Sequence, residues 1–224
     1  MKTVNIIIDR IVLVCIIIII LLGIYNILDV YYIHHVGSND LYKRFQPTAE
    51  DSASYIEVGE DCVGWINIKD TPIDFPIMQA NNNIKYLNTA PNGDYSLSGS
   101  IFLDCLCSPN FDDGYSLIYG HHMAEKMMFG GLDDFANEDY FLSHRDAELT
   151  FSEEIHDYKT FAYMITDAND DEIFKPNMRS ARQVEHIKEK AIFFLEEPNG
   201  QIVALSTCKT PGTTQRIILF LYSR

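Results

Sequence analysis

An unbroken apolar run, IVLVCIIIIILLGIY, stretches from Ile11 to Tyr25 near the start of the chain. Carried on to Leu28 it covers 18 residues. As a helix rising about 1.5 Å per residue it spans about 27 Å, close to the hydrocarbon thickness of a bilayer. Lys2 and Arg10 precede it, and no Lys or Arg follows until Lys43. The bias of basic residues toward the cytoplasmic side then puts residues 1–10 in the cytoplasm. It makes 11–28 a transmembrane signal anchor and places the rest outside the cell. No A-x-A-like cleavage site lies between Gly23 and Val36, so the segment reads as an anchor rather than a removed signal peptide. Residues 29–54 read as an extracellular stalk, polar from about Gly37 onward, and 55–224 as one domain with one core.

Beyond Tyr55 the apolar positions alternate in short stretches bounded by turn residues. VGWINI (63–68) is followed by Asp70-Thr71-Pro72 and then by IDFPIM (73–78). The same pattern recurs at 100–103, 115–119, 147–151, 158–165, 201–206 and 216–222. Alternation of this kind predicts strands, and about eight of them with polar turns predict a mainly β fold closed as a barrel or sandwich. One segment differs. Val184, Ile187, Ala191 and Phe194/Leu195 form a helical stripe, which predicts a helix over Ser180–Glu197. Ser180 with Gln183 suits a capping box, and Pro198-Asn199-Gly200 suits a stop. A shorter helix is predicted over Asn137–His144.

The net charge of −15, from 32 acidic and 17 basic residues, repels phosphate backbones and argues against nucleic-acid binding. Five cysteines are present, and Cys15 lies in the apolar run. The other four are too sparse for a disulfide framework, although a bridge from Cys62 to Cys105 or Cys107 is compatible with an extracellular domain. No C-x-x-C occurs, which removes the support for a thioredoxin-like role.

Chemistry gathers at strand ends. Cys208 closes the apolar strand IVALST, and Gly120-His121-His122 follows the strand YSLIY. Arg216 opens the strand after the Cys208 loop. A thiol, an imidazole and a guanidinium at the ends of neighbouring strands suit nucleophilic attack on a peptide carbonyl. Taken singly, each has a plainer reading as a buried thiol, a structural histidine or a surface charge.

LSTC (205–208) with Arg216 on the next strand, and IYGHHM (118–123), resemble the signature of the sortases. GWINI (64–68), FPIMQ (75–79), NNNIKYLN (81–88), GSIFLD (99–104) and MMFGGL (127–132) resemble class B members, over the stretch from about Tyr55 onward. The resemblance implies a closed eight-stranded β-barrel with an N-terminal helix and a long helix before the nucleophile strand. It implies a membrane-anchored cysteine transpeptidase of the cell surface, of the Gram-positive type. Such an enzyme cleaves an N-P-x-T-x-like sorting motif of a secreted surface protein through a thioester. It then passes the acyl end to a peptidoglycan cross-bridge amine or, as an alternative, to a pilin lysine. By motif position Cys208 is the nucleophile, His121 the acid and base, and Arg216 the oxyanion stabiliser. Thr207, Ser206, Tyr119, Asn83 and Leu87 are the substrate-groove candidates. No cofactor and no metal is implied. His122 doubles the motif's single histidine, and Lys209 stands where the family often has an acidic residue.

Three rival readings compete with this one. Cys105, Cys107, His121 and His122 supply four zinc-ligand types, but not at a standard structural spacing. The S-x-G-C-x-R pattern of L,D-transpeptidases is absent, because Arg216 lies eight residues past the cysteine. A non-catalytic surface domain would use Cys208 structurally only.

Overall fold

The computed structural model describes residues 2–37, 41–176, 181–209 and 212–224. Two compact units divide the chain at Val36. The first is the helix α1 (Lys2–Gly37). Its stretch Ile8–Leu28 is long and apolar enough to cross a bilayer. The apolar side chains from Ile11 to Leu28 stand exposed, as a helix apolar on all sides requires of its surroundings. Asn26 donates to the Leu22 carbonyl at 2.8 Å, so its amide is satisfied one turn back.

The second unit is a barrel. Its strands are β1 (Cys62–Ile68), β2 (Asp74–Met78), β3 (Ile101–Leu103), β4 (Tyr115–Tyr119), β5 (Asp146–Phe151), β6 (Glu154–Asp167), β7 (Phe193–Phe194), β8 (Ile202–Cys208) and β9 (Gln215–Ser223). They pair in the order β5-β1-β2-β3-β4-β8-β9-β6, and β5 pairs with β6 to close the ring of eight. The two-residue β7 adds to β6 alone. The β2–β3 and β4–β8 pairs are parallel, and the remaining pairs are antiparallel. Closure removes the open sheet edges.

Period-two alternation sorts the side chains into two cores. Ile66, Ile77, Ile118, Val203, Leu205, Ile217 and Leu219 share one cluster with Phe129, Phe135 and Phe141 from residues 129–143. Leu117, Phe161, Ala204 and Phe220 belong to a second cluster, on the opposite face of the same strands. The helix α3 (Ala181–Lys190) covers that face with Val184 and Ile187. Each fully buried Ile, Leu or Phe contributes about 1.5–3 kcal/mol of transfer free energy. The short helix α2 (Glu138–Ser143) starts where the Asn137 side chain accepts from the Tyr140 N–H at 3.0 Å.

Two sequence expectations change. The predicted helix over 180–197 is shorter: Ser180 lies outside the described residues, and α3 ends at Lys190. Ile192 N–H donates to the Tyr163 carbonyl and Leu195 N–H to Phe161, so the next residues leave the helix to pair with β6. Phe194 then meets the Phe161 ring edge-on at 5.9 Å. Strand pairing and ring packing outweigh the helical stripe. Part of the stretch read as a stalk is also packed. Tyr42 is buried with Tyr55 and Val58 against Trp65, Met78, Tyr86 and Phe102, and Phe45 joins them.

Candidate active site

On β8 the residues Val203, Leu205 and Thr207 face inward, while Ile202 and Ala204 face the cluster under α3. Alternation therefore carries Ser206 and Cys208 to the outer face of the barrel wall. On β9 Ile217 and Leu219 face inward, and Arg216 shares the outer register with Ile218 and Phe220. The site thus lies on the outside of the wall, and not in the barrel's mouth.

Cys208 and Arg216 are direct partners across β8 and β9. Just beyond them Lys209 N–H donates to the Gln215 carbonyl at 3.0 Å. That bond marks the Cys208–Arg216 pair as a non-hydrogen-bonded one, in which side chains stand closest, with Cα atoms about 4.5 Å apart. The Arg216 guanidinium donates through Nη1 to the carbonyls of Thr213 (3.0 Å) and Gln215 (3.1 Å), which anchors it at its own loop.

His121 arrives from β4, which runs parallel to β8 with Tyr119 opposite Ser206. Gly120 N–H donates to the Ser206 carbonyl at 3.1 Å, and Thr207 Oγ1 donates to the Gly120 carbonyl at 2.8 Å. A Cβ at Gly120 would lie 2.4 Å from Ile101 Cδ1 and 2.7 Å from the Phe129 ring, so any other residue would force those two side chains to move. The His121 ring places Nε2 2.7 Å from the Leu87 carbonyl. A carbonyl oxygen only accepts, so Nε2 carries the hydrogen of this bond and Nδ1 is the remaining ring nitrogen.

A cleft of about 380 Å³ gathers these groups. Cys208, His121 and Arg216 line it together with Asn83, Leu87, Tyr119 and Ser206. Cys208 is half-buried, so its sulfur is neither sealed in the core nor bare on the surface. Thr207 is not part of the cleft. It is 2% exposed and pins Gly120 from the barrel side, the consequence of its inward register. Phe102, Ala168 and Phe174 also line the cleft; Phe102 lies within GSIFLD (99–104), and no sequence motif singles out the other two.

Ala168 and Phe174 lie between β6 and α3, in a segment tied down by polar contacts. Asp170 accepts from Thr166 Oγ1 (2.6 Å) and pairs with His186 Nε2 (2.9 Å). Gln183 donates to the Glu172 carbonyl at 3.0 Å. Burial alone would raise the Asp170 carboxyl, but the bonds from Thr166 and His186 outweigh it and hold it below its ordinary value.

Beneath the cleft sits Asp104, 3% exposed. Its Oδ2 accepts from the Tyr119 hydroxyl (2.9 Å) and from Asn83 Nδ2 (2.8 Å), and its Oδ1 from Leu106 N–H (2.9 Å). Asn83 Oδ1 in turn accepts from Cys105 N–H at 2.8 Å. Burial first, and then the Asp104 charge, push the Tyr119 phenol far above its ordinary value, so it stays protonated and donates. His122 Nε2 meets Asp133 Oδ2 at 2.7 Å, a partner different from that of His121. Cys62 and Cys105 are free thiols.

The sortase domain family matches residues 66–222 of this chain. A class B sortase of Streptococcus pyogenes involved in pilus biogenesis is 36% identical, with a TM-score of 0.70 over 76% of this chain and 96% of that one. Sortase B from the type II pilus of Streptococcus pneumoniae is 28% identical, with a TM-score of 0.65 over 76% of this chain and 97% of its own. Sortase B of Staphylococcus aureus is 25% identical over 171 residues, 73% of this chain and 70% of that protein.

Proposed function

This chain belongs to the sortase family, whose members are cysteine transpeptidases, and from that premise we propose that it is a class B enzyme anchored in the membrane by α1 and working outside the cell. Its substrate is an N-P-x-T-x-like sorting peptide of a secreted surface protein, and its acceptor is an amine of the cell wall. The observation that carries this reading is the single cleft lined by Cys208, His121 and Arg216 together.

In this reading the Cys208 thiolate attacks the scissile carbonyl and forms a tetrahedral oxyanion. Arg216, across the strand pair from the nucleophile, supplies fixed positive charge and donors to that oxygen. His121 gives a proton to the leaving amine as the thioester forms. With Nε2 committed to the Leu87 carbonyl, Nδ1 is the nitrogen that handles this proton. The acceptor amine then attacks the thioester, His121 takes its proton, and the amide leaves as the Cys208 thiolate and the His121 imidazolium are restored. No step needs a cofactor or a metal.

A second reading follows from the 36% identity to the Streptococcus pyogenes enzyme involved in pilus biogenesis. There the acceptor is a lysine side chain of a pilin subunit. One experiment tests both readings. Full-length chain in detergent is incubated with a panel of sorting pentapeptides. Either a cross-bridge-like oligoglycine or a lysine-bearing peptide is present, and products are read by mass. An amide product with oligoglycine supports wall anchoring, and one through the lysine ε-amine supports pilus assembly. No cleavage of any pentapeptide contradicts both.

A further inference from the structure

Asp104 takes no place in the steps above and does not line the cleft, yet it binds two residues that do. Tyr119 comes from β4 and Asn83 from the segment after β2, and they share one carboxylate oxygen. The carboxylate meets three donors: a hydroxyl, an amide and a main-chain N–H. A buried acceptor with this many donors fixes their directions, because turning any of them away would leave a polar group unpaired.

The consequence is chemical. The Tyr119 hydroxyl spends its only hydrogen on Asp104, so a ligand meets the phenol oxygen as an acceptor. Asn83 gives one amide hydrogen to Asp104 and receives Cys105 N–H at its oxygen. Its second amide hydrogen is the one left for a ligand. Without the carboxylate, either group could turn and reverse its role.

Resting on the peptide-cleaving reading, we propose that Asp104 is a positioning residue that sets the hydrogen-bond polarity of the groove, so that the bound peptide meets an acceptor at Tyr119 and a donor at Asn83. The groove then selects a ligand that offers an N–H to the phenol and a C=O to the amide. Asp104→Asn keeps the shape but turns an acceptor into a donor. Its single acceptor oxygen cannot serve all three donors, so its amide nitrogen meets either the Asn83 and Tyr119 donors or the Leu106 N–H, and the fixed directions of the network are lost.

The test uses full-length chain in detergent and a pentapeptide that the wild type cleaves. Asp104→Asn is expected to raise KM about tenfold, the loss of one well-placed hydrogen bond. Its kcat should stay within about twofold, because Cys208, His121 and Arg216 are untouched. A purely structural role would instead lower the active fraction, and so kcat, at constant KM. Asn83→Ala and Tyr119→Phe provide a second measurement if Asp104→Asn does not fold. Through their shared oxygen, their effects on KM should be non-additive. An unchanged KM in Asp104→Asn, or additive effects in the Asn83/Tyr119 cycle, overturns the proposal while leaving the enzyme reading intact. A wild type that cleaves no pentapeptide removes the enzyme reading and this inference with it.

Discussion

Cys208 on β8 and Arg216 on β9 stand directly opposite each other in a non-hydrogen-bonded pair on the outer face of the barrel. The register of one strand pair therefore places the candidate nucleophile beside a fixed cation, and the loop between them need not do so. A guanidinium offers a planar fork of donors that an ammonium lacks. Arg216→Lys, which keeps the charge, should lower kcat/KM for peptide cleavage by about 100-fold or more, the usual effect of losing an oxyanion donor. Cleavage assays with matched circular-dichroism spectra check this. A lysine variant as active as the wild type would show that charge alone is enough.

Thr207 serves the fold and not the groove. Thr207→Val keeps the shape but leaves the Gly120 carbonyl without its 2.8 Å partner. The expected cost is about 1–3 kcal/mol of stability, or several degrees in Tm. KM for peptide should change little. Thermal melts and steady-state kinetics on one preparation separate the two effects.

The buried and half-buried thiols should differ in reactivity. Burial pushes the Cys62 thiol up to about 12, and its Sγ lies 3.5 Å from the Gly64 carbonyl. At pH 8 iodoacetamide should modify Cys208 in the native protein and leave Cys62 unmodified until denaturant is added. Peptide mapping by mass spectrometry reads both sites.

Acid should loosen the wall formed by Ala168 and Phe174. The folded-state pKa of Asp170 lies below its ordinary value. Its contribution to stability is therefore complete above the unfolded value of about 3.9 and is lost as pH falls through the folded value. Thermal melts of wild type and Asp170→Asn should differ most near neutral pH and converge below about pH 4. A gap that widens on acidification would reverse the assigned direction.

Much of the fold is legible in the residue pattern. Eight short apolar stretches anticipate the eight strands of the ring; strands packed on both faces, such as β8 and β9, read as near-continuous apolar runs, and only their side-chain direction alternates. The same alternation holds the answer for Thr207: next to an outward Cys208, residue 207 must point inward. The end of α3 is not legible, since Ala191–Leu195 is apolar throughout and only pairing with β6 tells strand from helix. Neither is the orienting partner of His121. The Leu87 group that meets the ring is a main-chain carbonyl, and side-chain identity says nothing of it. Asp104 closes the motif GSIFLD, but its grip on Asn83 and Tyr119 depends on contacts 21 and 15 residues away.

The most direct measurement is the intact mass of the full-length chain, quenched in acid during turnover of a sorting pentapeptide. The expected result is an added mass equal to the acyl half of the peptide, mapped to Cys208. That adduct should be released by hydroxylamine and absent from Cys208→Ala. Cleavage of the peptide by Cys208→Ala, or an adduct on any other residue, would contradict it.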